Sequence, residues 1–225
     1  MSCYKALSAL LTLTALSMPG LAAVDEPPPE LNQAQTLVFM GDHLQQIAEG
    51  KTVVYDFTRR MTGQPEQHDE IRMTVTKVRD DALRNLSFEF LSGPDRIAFP
   101  PAEGYRGNPI PVQFLERDIR DMAQATGNSP AYFRNRIRKA FRDPQIEKTR
   151  LAIDGVELDT VEITVVPFKA DKNVAQFEGY ADKQYRFAYS DQIPGGLVSI
   201  QTRMAGASGA ILEEALSYSR IADAL

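Results

Sequence analysis

The side chains best suited to acid–base or metal chemistry in this sequence are two histidines. His43 follows Asp42, and His68 opens the run His68-Asp69-Glu70. Zinc sites usually need three or four ligands at a recognisable spacing, and these runs offer one or two. The chain contains no G-x-S-x-G nucleophile elbow and no glycine-rich phosphate loop. The sequence therefore predicts a protein without catalytic residues, metal or other cofactor, and an unrecognised hydrolase is the alternative.

The only cysteine, Cys3, lies in a segment with the features of an export signal. Lys5 precedes an apolar run that is too short to span a bilayer, and small residues follow it up to Ala22 and Ala23. We expect residues 1–23 to be a signal peptide cleaved after one of these alanines, which would place the protein in the periplasm. A retained membrane anchor is the alternative. Without Cys3 the mature chain has neither a disulfide nor a thiolate site.

The rest of the chain is expected to form one domain behind a short linker. Residues 24–34 contain three consecutive prolines, which favour an extended polyproline conformation. Residues 35–225 are enough for a single core, and none of their apolar runs is long enough to be a transmembrane helix. The net charge of −5 argues against a nucleic-acid partner.

A helical hairpin between Pro109 and Pro144 is the clearest element in the sequence. The first helix has an apolar stripe from Leu115 to Ala123, and Gly127 follows it as a C-cap residue. Ser129 is the expected N-cap of the second helix. A further helix is expected in the second half of residues 36–49.

The second helix of the hairpin carries a line of three arginines, Arg134, Arg138 and Arg142, at i, i+4 and i+8. Like charges at this spacing destabilise a helix unless other groups compensate for them. One interpretation is a surface for an anion or a phosphate headgroup. The other is a solvated face that pairs with acidic residues of the first helix or the sheet.

Aromatic side chains alternate with polar ones along three predicted strands. They are candidates for lining a ligand cavity, although such residues more often fill the space between a sheet and its helices. The candidate residues are Tyr55, Phe57, Phe88, Phe90, Tyr185, Phe187 and Tyr189.

About four strands precede the hairpin and about five follow it. The fourth is expected at Arg96–Phe99, and Asp154-Gly155 predicts a tight turn in the second group. Because no strand–helix–strand alternation is present, the sheet should be antiparallel. We therefore predict an α+β fold in which a strongly curved antiparallel sheet, a half-barrel, wraps around the central helical hairpin.

This layout resembles the LolA-like superfamily of periplasmic lipoprotein carriers and exported envelope proteins. The segments that carry the resemblance are Phe114-Leu115-Glu116-Arg117-Asp118, Tyr132-Phe133-Arg134 and the Ser190–Gly196 turn. The resemblance implies that the helices plug a half-barrel whose concave face holds acyl chains. It transfers no functional residue, because the inward arginine of the carriers has no counterpart that can be placed here.

Together these observations predict a non-enzymatic periplasmic protein that binds or carries a hydrophobic or lipid-like ligand. The aromatic residues would hold the apolar part, and the arginine line would meet an anionic headgroup. The alternative is an envelope interaction module with a filled core, a protein partner and no small ligand.

Overall fold

The computed structural model describes residues 30–153, 155–169, 171–174, 177–207 and 209–224. Leu31–Leu225 form one compact unit. The predicted signal peptide, residues 1–23, and most of the predicted linker, residues 24–34, lie outside the described residues. None of the helices in the described ranges is long and apolar enough to cross a membrane.

The described chain contains three α-helices and nine strands. The helices are α1 (Gln33–Gln35), α2 (Ile110–Thr126) and α3 (Pro130–Ala140), with a π-helical turn at Thr36–Met40 and a 3-10 turn at Gly93–Asp95. The strands are β1 (Lys51–Met61), β2 (Gln67–Val78), β3 (Arg84–Phe90), β4 (Ala102–Tyr105), β5 (Gln145–Ile153), β6 (Val156–Val165), β7 (Gln184–Tyr189), β8 (Leu197–Gly206) and β9 (Gly209–Asp223).

All nine strands belong to one curved, unclosed sheet in the order β4-β3-β2-β1-β9-β8-β7-β6-β5. Each neighbouring pair is antiparallel. The two halves of the chain meet where β1 pairs with β9, so the C-terminal strand closes the centre of the sheet. The short strand β4 and the longer β5 are its two edges. The predicted α+β class and antiparallel sheet are thus confirmed.

The helical hairpin packs on one face of this sheet, as predicted. Gly127 ends α2 in the left-handed conformation with φ of 73°, which a residue without a Cβ adopts without strain. The Ser129 side chain then accepts a hydrogen bond from the Tyr132 amide and caps α3. Phe114 of α2 and Phe133 of α3 are fully buried in the same core cluster as the inward side chains of β1 and β7.

Two local predictions were wrong. The second half of residues 36–49 is not helical, because the Leu44 amide bonds to the Arg106 carbonyl instead of a carbonyl within its own segment. Arg96–Phe99 forms only an isolated bridge, between Ile97 and Phe90, and the fourth strand lies later, at β4. The first of these segments depends on a contact with a distant part of the chain.

Candidate functional site

The aromatic candidates from the sequence lie in the core between the sheet and the hairpin. Six of the seven are buried, with at most 3% of the side chain exposed, and Phe88 packs partly buried against them. Their neighbours are core side chains: the Phe187 ring lies 5.5 Å from that of Phe141. This arrangement is that of ordinary core residues. The buried six are Tyr55, Phe57, Phe90, Tyr185, Phe187 and Tyr189.

Two buried tyrosines of this set have hydrogen-bond partners inside the core. The Asn108 side-chain amide donates to the Tyr55 hydroxyl over 2.8 Å and to the Gly195 carbonyl over 2.9 Å. The Tyr185 hydroxyl donates to the Asp118 carboxylate. Burial raises the pKa of both tyrosines, so both stay neutral and act as structural contacts.

The predicted arginine line divides into one paired and two unpaired side chains. Arg134 donates two hydrogen bonds of 2.7 Å to the two carboxylate oxygens of Glu116 on α2. This contact holds the pKa of Glu116 below its ordinary value. Arg138 and Arg142 are exposed, and neither makes an ion pair with any described residue. The three arginines therefore do not act as one site.

A buried ionic cluster, which was not predicted from the sequence, joins α2 to the sheet. Arg117 lies 2.5 Å from Glu214 of β9, and Lys183 lies 2.8 Å from Asp118. Burial alone would raise the pKa of Asp118, but the Lys183 ammonium holds it below its ordinary value. The cluster anchors the hairpin to the sheet, because each charge has an opposite charge in contact.

The histidine runs show no metal-site geometry. The His68 Nε2 atom lies 3.8 Å from Glu66, and the Asp69 carboxylate accepts hydrogen bonds from Ser92 instead. Across the described ranges, no three His, Cys, Asp or Glu side chains are grouped so as to hold a metal ion.

An apolar groove of about 800 Å³ lies between the π-helical turn, the start of α2 and the edge strand β4. Its apolar walls include four large side chains that are notably exposed: Phe39 (39%), Met40 (63%), Tyr105 (41%) and Val112 (44%). Only seven large hydrophobic side chains in the described part of the chain are this exposed, and four of them line this one groove. Phe88, Phe99, Pro100 and Pro101 complete the apolar wall.

The lining of this groove also contains polar residues, of which Asn108 and Gln113 are buried and the charged ones lie towards solvent. Glu103, Arg106 and Glu116 are among its lining residues. The Arg106 guanidinium is largely exposed, and its ion pair with Asp42 is long at 3.6 Å. A long, exposed pair of this kind is weak, so Arg106 remains able to meet a polar group of a bound molecule.

A second cleft of about 910 Å³, with more charged and hydroxyl-bearing residues in its lining, lies on the other side of the π-helical turn. Thr36 and Leu37 form one wall, and residues of β5, β6 and the end of β7 form the other. Val38, Phe39 and Met40 line the apolar groove instead. The N-terminal segment 36–41 therefore separates the two clefts, and its position determines their shapes.

His43 fastens this N-terminal segment to the rest of the domain. Its imidazole stacks on Tyr189 with 5.3 Å between ring centroids, and its Nδ1 accepts from the Asn108 amide over 3.4 Å. A Cβ placed on Gly41 would lie 2.2 Å from Nε2, and one on Gly196 would lie 2.7 Å from Cδ2. The ring thus fits only because both neighbours are glycines.

The sequence missed most of the groove. No role in a ligand site was predicted for Phe39, Met40, Pro100 or Pro101 from residue types and spacing. Phe88 is the one predicted aromatic residue that lines the groove. Exposure of apolar residues is the feature that distinguishes this surface, and exposure is a property of the fold that residue types alone do not give.

Comparisons with known proteins give likeness to solved structures but not to a family model. No protein-family model matches the chain, and the search of curated proteins gives no match. A crystal structure of a LolA superfamily protein from Nitrosomonas europaea is similar, with a TM-score of 0.23 and 9% identity over 85% of this chain and 93% of that chain. At this TM-score the fold class rests on the strand order and register described above.

Proposed function

We propose that this protein binds a hydrophobic or lipid-like ligand in the cell envelope, and that the apolar groove is the binding site. The observation that carries the proposal is the concentration of exposed large apolar side chains in that groove. Scattered single apolar residues are normal on a protein surface, whereas a contiguous exposed apolar patch marks a binding site. A volume of about 800 Å³ is in the range of small-molecule sites.

The distribution of polar groups supports an amphipathic ligand. An apolar chain would lie against Phe39, Met40 and Val112, where it would remove apolar surface from water at about 25 cal/mol per Å². A negatively charged or polar end would lie at the rim, near Arg106. This arrangement would hold a molecule with a tail and a headgroup better than a purely polar one.

The proposed site differs from the concave interior that the sequence suggested. That interior is occupied by buried aromatic side chains and by the ionic cluster on α2. Displacing these residues would expose buried charges, which is costly. A ligand therefore enters beside the core, along the edge of the sheet at β4.

A second candidate function is an envelope interaction module without a small ligand. The filled core favours it, as do the open edge strands β4 and β5, which lack a partner on one side. An exposed sheet edge can pair with an extended segment of another chain. The two candidates differ in what occupies the groove, and a small hydrophobic probe distinguishes them.

The test compares two variants that each place a carboxylate on an exposed valine. Val112→Glu introduces a charge into the groove, and Val156→Glu does so in the β5–β6 hairpin, at a site 59% exposed and outside the groove. Binding of the fluorescent probe N-phenyl-1-naphthylamine should weaken at least about tenfold in Val112→Glu, because a buried unpaired charge costs more than 1.4 kcal/mol. Val156→Glu should bind like the wild type.

Circular dichroism on both variants checks that each is folded. Probe binding that is equal in the two variants would reject the groove as the site. A wild-type protein that binds no probe at all would favour the interaction module.

A further inference from the structure

The C-terminal half of α3 and the loop after β6 form a surface whose positive charges have no ion-pair partner in the described part of the chain. Arg138, Lys139 and Arg142 lie on α3 and its C-terminal end, and Lys169 and Lys172 lie in the loop. None of the five makes an ion pair with any residue in the described ranges. We call these five residues the basic surface.

Two neighbouring arginines of α3, in contrast, are neutralised by ion pairs. Arg134 is paired with Glu116, and Arg136 with Asp171. Arg134 and Arg136 are therefore neutralised, whereas Arg138, Lys139 and Arg142, which follow them, have no ion-pair partner among the described residues. The negative dipole end of α3 favours cations in its last turn, but it does not account for Lys169 and Lys172 on a separate loop.

A cleft of about 760 Å³ connects the two parts of the basic surface. Lys139, Lys169 and Lys172 all line it. The two carboxylates on its wall are those of Asp143 and Asp171, and Asp171 is already occupied by Arg136. The cations therefore outnumber the free carboxylates around a concavity, in a chain whose net charge is −5. Such segregation of charge creates a local positive potential on an acidic protein.

We propose that the basic surface docks this protein on an anionic phospholipid bilayer, with headgroup phosphates in the cleft between α3 and the loop after β6. Three observations favour a bilayer over an acidic protein. The cations are on long, separate side chains, no aromatic residue is among the described residues that line the cleft, and its apolar lining consists of the aliphatic residues Ala140, Pro144, Val166 and Pro167. Specific protein interfaces depend on a well-packed apolar centre with aromatic anchors, whereas binding to anionic headgroups needs only clustered positive charge.

The proposal is independent of the apolar groove, and its residues are different from those of the groove. Docking would bring the protein to the surface of a membrane whether or not it carries a ligand. A groove variant such as Val112→Glu should therefore keep its membrane affinity, which separates the failure of one proposal from the failure of the other.

The experiment is co-sedimentation of the purified mature protein with vesicles. Vesicles of phosphatidylcholine alone are compared with vesicles that also contain phosphatidylglycerol, at low and at high salt. The wild type should sediment with the anionic vesicles at low salt and be released by high salt, because exposed charges are screened. It should not sediment with the neutral vesicles.

Matched charge reversals test the location of the surface. Arg138→Glu/Arg142→Glu and Lys169→Glu/Lys172→Glu should each lower vesicle affinity by at least about 25-fold, since each basic residue near an anionic bilayer contributes roughly fivefold. Lys77→Glu/Arg96→Glu changes the net charge equally at two other exposed positions and should leave affinity within about fivefold of the wild type.

Three results would overturn the proposal. They are no sedimentation of the wild type with anionic vesicles, equal binding to neutral vesicles, and an equal loss of affinity in the control variant. Capture of an acidic protein by a wild type that ignores anionic vesicles would assign the basic surface to a protein partner instead.

Discussion

The Lys183 ammonium and the Asp118 carboxylate meet in the core, with only 2% and 3% of their side chains exposed. The Asp118 carboxylate also accepts a hydrogen bond from the Tyr185 hydroxyl. A buried pair of this kind is not a strong source of stability by itself, because both charges lose their hydration. Replacing only one of the two charged residues is destabilising, because the remaining charge is then buried without a partner.

Lys183→Met should therefore lower the free energy of unfolding by about 3–5 kcal/mol. Lys51→Met is the control, because Lys51 pairs with Asp223 at 2.5 Å but both side chains are exposed. An exposed pair is worth at most about 1 kcal/mol. Urea unfolding of both variants measures the difference, and similar losses in the two would show that Asp118 is not held as the structure indicates.

His43 should make stability depend on pH. Burial lowers the pKa of His43 from its ordinary value of 6.5, against the opposing effects of Asp191 and Asp42. The unfolded chain then binds more protons than the folded one as the pH falls below about 6.5. The contribution of neutral His43 to the free energy of unfolding is fully present above about pH 6.5, and it declines as the pH falls towards the pKa of His43 in the folded state. Protonation would also place a second N–H against the Asn108 amide, which now donates to Nδ1.

The measurement is urea unfolding at about pH 7 and about pH 5. The loss of stability between the two should be smaller in His43→Gln than in the wild type. His68→Gln is the matched control, because His68 is the other histidine in the chain and is 69% exposed. A pH dependence that disappears in the His68 variant and persists in the His43 variant would contradict the assignment.

The residue types predicted which face of a strand a side chain lies on, but they did not predict which side chains are in contact. The alternation of Tyr185, Phe187 and Tyr189 correctly placed them on one face, but it left open whether they line a cavity or fill a core. The burial of Arg117 and Asp118 was not predicted, because their partners are far away in the sequence. Charged residues such as Arg117 are buried only when an oppositely charged partner, here Glu214, contacts them. A single sequence does not show which residues will be in contact.

Among the elements, α1 and the π-helical turn determine the shape of both clefts. Asn32 caps α1 through a reciprocal pair of hydrogen bonds with Gln35. The Asn32 side-chain amide also donates to the carbonyls of Phe141 and Arg142 at the end of α3. One side chain therefore both starts the N-terminal helix and ties it to the hairpin.

Asn32→Ala should destabilise the protein by about 1–2 kcal/mol, the usual cost of losing an N-cap side chain. It should also raise amide hydrogen exchange in residues 33–40, because the tie to α3 is lost. Ser129→Ala removes the N-cap of α3 at a similar cost and should leave exchange in residues 33–40 unchanged. Unchanged exchange there in Asn32→Ala would mean that other contacts hold the N-terminal segment.

Elements with strong local signals were predicted well. Gly127 and Ser129 mark the hairpin turn between α2 and α3, and both have the conformations and hydrogen bonds that their types favour. The segment after Met40 was predicted less well, because the Leu44 amide bonds to the distant Arg106 carbonyl and the His43 ring packs against Gly196. The four-residue strand β4 was missed for a similar reason, since only its pairing with β3 makes it a strand.

At the scale of the domain, the order of the elements predicted the antiparallel sheet and its central hairpin. The sequence could not predict that the aromatic rows would fill the interior, because that depends on how closely the helices approach the sheet. Because the helices pack closely against the sheet, the interior is filled, and we propose the ligand site in the groove beside β4 instead. The basic surface was anticipated in part, through Arg138 and Arg142, while Lys169 and Lys172 join it only in the folded chain.

The most direct test of the proposed function is native mass spectrometry of the protein isolated gently from its own cells, with lipid extraction of the same sample. The account predicts an adduct of lipid-like mass on the wild type and on Val156→Glu, lost on denaturation and strongly reduced on Val112→Glu. An adduct of equal abundance on both valine variants would place the ligand elsewhere. A wild-type protein with no adduct, together with no binding of the fluorescent probe, would contradict the proposed function.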